Sequence, residues 1–264
     1  MITLANIHKT FKVAKREKGT AAALKSLFHR EYRRVHALDG VSFHVDEGEI
    51  VGYIGPNGAG KSTSIKVMSG ILVPDSGTCG IMGYTPWKQR REYVRHIGVV
   101  FGQRTQLWWD VPVSDSFDLL RDIYKVPQSE YRRNLDLLTE TIGLQDFINT
   151  PLRQLSLGQR MRAEIAASLL HSPKVLFLDE PTIGLDAPSK LAVRRFIKDI
   201  NAETKLTVIL TTHDMNDIDA LTDRVVLIGK GKILYDGAFS EIKNRSDHSA
   251  LEEVIAELYR EYEL

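Results

Sequence analysis

The stretch Gly55-Pro56-Asn57-Gly58-Ala59-Gly60-Lys61-Ser62 constrains this chain more than any other feature. It fits G-x-x-x-x-G-K-[ST], a loop whose glycines let backbone N–H groups wrap phosphate oxygens while a lysine adds positive charge. The pattern needs a strand before it and a helix after it. Ile50-Val51-Gly52-Tyr53-Ile54 is an apolar run of strand length, and Lys61–Ser69 reads as a helix. A helix starting at such a loop aims unpaired N–H groups and its positive dipole end at a bound anion. Asn57, Gly58, Ala59, Gly60, Lys61, Ser62 and Thr63 are therefore candidate nucleotide-binding residues, with the amides from Gly58 to Ser62 facing the phosphates. Lys61 should reach the β- and γ-phosphates. The Ser62 hydroxyl is a candidate ligand for Mg²⁺, which prefers hard oxygen donors.

A chain of 264 residues has room for one large α/β domain and a smaller lobe. Val175–Leu178 and Thr207–Thr211 are short apolar or β-branched runs separated by a helical stretch, Pro188–Ala202. Such runs read as parallel strands buried on both faces. Ile2–Ile7 and Val41–Val45 are further strands, and Arg224–Gly229 with Lys232–Asp236 forms a closing hairpin through Lys230-Gly231. Between Trp87 and Gln159 the texture turns helical, with Phe117, Leu120 and Tyr124, then Leu135 and Leu138, at helical spacing. The excursion Lys12–His36 places Leu24, Leu27, Phe28 and Val35 on one helical face, with Lys25, Arg30, Arg33 and Arg34 carrying charge. That predicts a basic amphipathic helix, packed on its own domain or laid against a partner or membrane surface. Leu251, Val254, Ile255, Leu258 and Tyr262 predict an amphipathic C-terminal helix. The expected division is a core of residues 1–87 and 160–238, a helical subdomain at 88–159, and a helical extension at 239–264.

A net charge of +1 offers no argument for a nucleic-acid partner. The single cysteine, Cys79, excludes an internal disulfide framework and is expected to be a small loop residue without a catalytic role. No apolar run approaches the ~18 residues that suggest a membrane span, and Met1-Ile2-Thr3-Leu4 begins directly in a strand pattern. The expectation is a soluble, cytoplasmic chain that would serve a membrane only by docking on an embedded partner.

Asp179 and Glu180 end an apolar strand, where ligands gather in open α/β sheets. Adjacent strand residues point apart, so the pair can divide labour, Asp179 on the metal and Glu180 on an attacking water as general base. A positioned base is worth about 10²–10⁴ in rate. Two carboxylates at a strand end can also be mere helix caps, and His213, which follows the strand Thr207–Thr211, is on its own residues an ordinary loop histidine.

In order along the chain, the phosphate loop, Gln103, Leu155-Ser156-Leu157-Gly158-Gln159, Val175-Leu176-Phe177-Leu178-Asp179-Glu180, Leu185-Asp186 and His213 resemble the ATP-binding subunit of an ABC transporter. The resemblance covers nearly the whole chain. It implies an α/β fold: a P-loop NTPase (RecA-like) core, a mostly helical ABC subdomain and an antiparallel β edge region. ATP and Mg²⁺ are the implied cofactors, with Ser62, Gln103 and Asp179 on the metal. Gln103 would also touch the attacking water, with Gln106 as the alternative, and His213 would contact the γ-phosphate. Phe11 matches the residue that stacks on adenine, with Tyr32 as the alternative.

Leu155–Gln159 resembles the family signature L-S-G-G-Q with Leu157 in place of the first glycine. In the family this loop completes the ATP site of an opposite subunit, so Ser156, Gly158 and Gln159 would grip the γ-phosphate bound by a second chain. Asp186 would lie at the same interface, where Ile183 departs from the usual small residue. A second ATP-binding subunit, expected as a homodimer, follows. The excursion at 12–36 and the segment Phe101–Asp110, with Trp108 and Trp109, look like those of exporter ATPases that pair with ABC-2-type membrane permeases. Trp108 and Trp109 serve either lobe packing or permease contact. The expected place is the cytoplasmic face of the membrane, peripherally bound. An importer motor, or a non-transport ABC ATPase acting on ribosomes or DNA, is the alternative.

Overall fold

The computed structural model describes residues 1–14, 32–102, 104–244, 257, 259 and 260. In chain order the elements are β1 (Ile2–Ala14), β2 (Tyr32–Val45), β3 (Ile50–Ile54), α1 (Lys61–Met68), β4 (Ser76–Ile81), α2 (Arg90–Tyr93) and β5 (Ile97–Phe101). Three helices follow, α3 (Val113–Tyr124), α4 (Gln128–Ile142) and α5 (Leu157–Leu169), and then β6 (Val175–Asp179), α6 (Ala187–Thr204) and β7 (Thr207–Thr211). The described chain closes with α7 (Met215–Leu221), β8 (Arg224–Gly229), β9 (Lys232–Ala238) and α8 (Phe239–Asn244).

The strands form two sheets. One holds six strands in the order β5-β6-β7-β3-β8-β9, and the other three in the order β2-β1-β4. All neighbours in the larger sheet are parallel except β8 and β9. Its interior strands are apolar on both faces because each face is covered. In β6, Val175 and Phe177 join a cluster with Tyr53, Ile65 and Met68. Leu176 and Leu178 join the opposite cluster, which includes Phe117, Leu138, Met161, Ile165 and Phe196. The period-two alternation of one strand thus feeds two cores. The helices of residues 113–169 share the second core with the sheet, so their packing is continuous with β6 and β7.

At the sheet edge, β8 turns into β9 through Lys230-Gly231, with φ of 45° and 80°. Positive φ at both central residues is the signature of a two-residue turn whose twist matches its strands. The turn is also a brace. The Gly231 N–H donates to the Ala59 carbonyl (2.9 Å) in the phosphate loop, and the Gly231 carbonyl accepts from the Asp39 N–H (2.8 Å) in β2.

Two expectations need correction, and a third is only partly described. The helix expected over 12–36 fails at both ends: β1 runs on to Ala14 and β2 starts at Tyr32, with Phe11 opposite Val35, Lys12 opposite Arg34 and Ala14 opposite Tyr32. Cross-strand side-chain pairs and continued backbone pairing hold this antiparallel ribbon, which local helical spacing does not register. Leu24, Lys25, Leu27, Phe28 and Arg30 lie outside the described residues. Cys79 is in strand β4, opposite Leu4 in β1, and not in a loop; burial pushes its thiol up to about 12. Of the expected C-terminal helix, 245–256, 258 and 261–264 lie outside the described residues, while Glu257, Tyr259 and Arg260 are helical. Tyr259 packs against a small third cluster that includes Phe239 and Ile242.

Phe117 is fully buried in the core shared by helices and sheet, whereas Ile123 on the same helix is 58% exposed. Phe117→Ala should cost about 3–5 kcal/mol of stability, and Ile123→Ala no more than about 0.5, read from urea unfolding midpoints.

Candidate active site

The carboxyl ends of β5, β6, β7 and β3 lie side by side, and every catalytic candidate in the described chain follows one of them. Phe101 of β5 is level with Asp179 of β6, and Asp179 is level with Thr211 of β7. The glycine-rich loop leaves the end of β3 and turns into α1 at Gly60, whose φ is 116°. A Cβ there would meet the Ala37 carbonyl oxygen at 2.5 Å, so no other residue fits the turn. Lys61 is 5% exposed. Its Nζ donates to the carbonyls of Gly55 (2.6 Å) and Pro56 (3.3 Å), which curls the side chain back over its own loop. Burial lowers its pKa below the usual lysine range, and Glu180 and Asp179 pull it partly back. The ammonium and both carboxylates therefore share one field.

Asp179 and Glu180 are held by Thr211. The Thr211 hydroxyl donates to Asp179 Oδ1 (2.7 Å), and the Glu180 N–H donates to the Thr211 carbonyl (3.0 Å) and hydroxyl (3.1 Å). Glu180 has a φ of 57°, in the left-handed region. A non-glycine residue there costs of order 1–3 kcal/mol and persists where surrounding bonds over-determine it. Its Oε1 is 2.6 Å from His213 Nε2. The strained backbone thus aims the carboxylate at a histidine that follows the next strand.

A buried polar network supports the loop that carries His213. Asp217 on α7 is fully buried and accepts from the Thr182 hydroxyl, the Thr212 hydroxyl (2.7 Å) and Arg194 Nε (2.6 Å). Asp214 accepts from Lys190 Nζ (2.6 Å) and Arg194 (3.2 Å), and its N–H donates to the Thr212 hydroxyl (3.0 Å). The residues flanking His213 are therefore tied to α6. A buried carboxylate is tolerated because every bond it needs is met.

The signature residues start α5. The Ser156 hydroxyl accepts from the Gln159 N–H (3.2 Å) and Gln159 Oε1 accepts from the Ser156 N–H (2.9 Å), a reciprocal capping box. Asp186 starts α6 in the same way, accepting from the Ser189 N–H (3.2 Å). Ser156, Leu157 and Asp186 are exposed. A Cβ on Gly184 would lie 3.0 Å from Leu157 Cδ2, so the two loops are neighbours. Neither is hydrogen-bonded to the phosphate loop among the described residues.

Phe11 sits in the smaller sheet, half-buried, with Lys9 Nζ 5.9 Å from its ring centroid. Tyr32 is exposed at the far end of the same ribbon. Gln103 lies outside the described residues. The amide of Gln106, its alternative, donates to the Glu164 carbonyl (3.2 Å) on α5 and is thereby tied to the helix.

Thr211 and Gly102 were not among the expected site residues. Gly102 donates from its N–H to the Asp179 carbonyl (2.8 Å), and a Cβ there would collide with the Glu180 carbonyl oxygen. A threonine closing the strand Thr207–Thr211 at the same edge as Asp179, and a glycine in front of Gln103, were the available signals. Arg194 and Asp217 left none, since only tertiary packing joins them.

The family model described as ABC transporter matches residues 38–183, more than half of the chain. The chain belongs to the ABC transporter family. It is 32% identical over 215 residues to the ABC transporter ATP-binding protein NatA of Bacillus subtilis, covering 81% of this chain and 87% of NatA. It is 36% identical over 233 residues to the methionine import ATP-binding protein MetN of Streptomyces avermitilis, covering 84% of this chain and 67% of MetN. Among solved structures, the dimeric post-hydrolysis state of the ATP-binding cassette MJ0796, bound to ADP and Pi, superposes with a TM-score of 0.74 at 26% identity, covering 90% of this chain and 98% of that one. The ABC ATPase domain makes ATP the nucleotide and hydrolysis the reaction. Among the described residues no helix is long and apolar enough to cross a membrane.

Thr211→Val keeps the strand shape and removes the hydroxyl shared by Asp179 and Glu180. ATP turnover should fall about tenfold, equivalent to about 1.4 kcal/mol of barrier, with the melting temperature within a few degrees of the parent. Steady-state phosphate release and thermal unfolding check both.

Proposed function

We propose that this chain is the ATP-hydrolysing motor of an ABC exporter, driving a separate ABC-2-type permease by ATP-dependent closure of a dimer. The observation that carries the catalytic half is the 2.6 Å contact between Glu180 and His213 beside Asp179 and Lys61. With Nε2 as the donor, His213 orients Glu180, and the second carboxylate oxygen takes a proton from the attacking water. An arriving γ-phosphate competes for the same N–H, so His213 senses the nucleotide and releases the base together. Lys61 exchanges its bonds to Gly55 and Pro56 for the β- and γ-phosphates.

The donor set also suits Mg²⁺. Asp179 has one oxygen engaged with Thr211 and Ser62 carries an exposed hydroxyl, both hard oxygen ligands of the kind this ion takes beside phosphates. Bound there with Gln103, Mg²⁺ would neutralise phosphate charge. Phe11 would stack on the adenine.

One chain carries one phosphate loop and one signature. Ser156, Gly158, Gln159 and Asp186 are assigned to the nucleotide of a second copy, giving two ATP molecules between two subunits. The exposed loop starts at Ser156 and Asp186, flanked by exposed Leu157 and Ile183, support a surface that is covered in the working state. The dimer of MJ0796 is a precedent for the architecture. Residues 1–87 and 160–238 form the proposed core, 88–159 the subdomain and 239–264 the extension.

The export direction rests on the likeness of residues 101–110 to the corresponding segment of ABC-2-type exporter ATPases, and docking on a permease is supported by Trp108 and Trp109, which are 40% and 48% exposed. Aromatics of this kind anchor protein interfaces, and a permease at the membrane would make the chain a peripheral subunit on its cytoplasmic face. An importer motor is the second reading, favoured by the 36% identity to MetN.

Glu180→Gln should slow hydrolysis by about 10²–10⁴ and accumulate an ATP-bound dimer in light scattering. Pulled from gently solubilised native membranes with ATP and Mg²⁺, it should bring down a polytopic permease whose sequence decides direction. Ribosomal or nucleic-acid partners without a membrane protein would refute the transport reading.

A further inference from the structure

A second carboxylate is buried away from the phosphates. Glu164 lies on α5, among Ala163, Ile165, Ala166 and Ala167, and is 4% exposed. On such a face an apolar side chain is the cheap choice, since a buried acid is destabilising unless its bonds are met. Glu164 meets them with one segment only. Its Oε1 accepts from the Thr105 hydroxyl and its Oε2 from the Gln106 N–H (3.2 Å), while its own carbonyl accepts from the Gln106 side-chain amide (3.2 Å). Burial still raises its pKa above the ordinary glutamate range.

The segment it holds starts at the hydrolytic centre. Gly102 donates to the Asp179 carbonyl, and a Cβ at this position would collide with the Glu180 carbonyl oxygen. Only residues 103 and 104 separate Gly102 from Thr105. Past Thr105, Leu107 donates to the Thr105 hydroxyl (3.1 Å), Trp108 donates to Ser116 (3.3 Å) on α3, and Arg160 on α5 lies 5.7 Å from the Trp109 ring. Ser156 caps the N-terminus of α5, about two turns from Glu164.

We propose that Glu164 is a positioning residue, a latch that fixes the register between the strand end carrying Asp179–Glu180 and the helix whose Ser156 end meets the nucleotide of the opposite copy. This inference rests on the two-subunit reading above. A shift of Thr105 and Gln106 on nucleotide binding is transmitted to α5 through their bonds to Glu164. Without the latch the two halves of the chain bind their separate parts of ATP but close out of step.

The test compares Thr105→Val, Thr105→Ser and Glu164→Gln, each alone and in the Glu180→Gln background, together with the Thr105→Val/Glu164→Gln double variant. Thermal unfolding identifies any variant whose loss comes from the fold, and Thr105→Ser, which keeps the hydroxyl on the Glu164 carboxylate, is the control. Thr105→Val and Glu164→Gln should bind a fluorescent ATP analogue within about twofold of the parent, keep KM within about twofold, and lose about tenfold or more in kcat. In the Glu180→Gln background they should weaken ATP-driven dimerisation by about tenfold. Thr105→Ser should restore both, and the double variant should be no worse than the worse single. Thr105→Val that turns over and dimerises like its parent, or additive losses in the double variant, would overturn the latch alone. A Glu180→Gln parent that stays monomeric with ATP and Mg²⁺ would overturn the two-subunit reading and the latch with it.

Discussion

Parallel pairing of β5, β6, β7 and β3 is the constraint on which the rest depends. In a parallel sheet all strands end on the same edge, so the loops that leave them are neighbours however far apart they lie in sequence. The ladder puts Phe101, Asp179 and Thr211 in one row, with the phosphate loop leaving β3 on the far side of β7. The apolar character of these strands is what holds the row in place. Alternate side chains of β6 enter different cores, and a one-residue slip would exchange the two sets.

Around that row the protein accepts costs that packing alone would not select. Glu180 takes a left-handed backbone, Lys61 sits with its ammonium under cover, and Asp217 is wholly buried. Each is offset by specific bonds: the paired acceptors of Thr211, the carbonyls of the phosphate loop, and the two threonine hydroxyls with Arg194. The pattern is that of a site pre-set before its ligand arrives, with little left to reorganise at the moment of reaction.

Much of this was legible in sequence. Glycines, lysine and serine at fixed spacing after an apolar run revealed the phosphate loop because the motif is local, and Asp179-Glu180 was visible as charge at the end of four apolar residues. The family resemblance supplied the α/β architecture, which the comparisons share. What escaped was non-local or mimicked another period. Thr211 reads as one more β-branched strand residue until its hydroxyl is seen between two carboxylate-bearing neighbours. Val35 fits a helical face as readily as a strand, and only its pairing with Phe11 decides. Arg194 and Asp217 are 23 positions apart, and no spacing rule reaches across that distance.

The turn at Lys230-Gly231 has a practical meaning for anyone altering this chain. Short exposed hairpin turns are ordinarily the first places to graft a tag or fuse another domain. Lys230 is exposed and invites that choice, but Gly231 is buried and joins the phosphate loop to β2 through its own N–H and carbonyl. A graft at this tip would cut the tie between the two sheets where the nucleotide's phosphates are cradled. The outer edge of the fold is thus a keystone, and handles for labelling belong elsewhere.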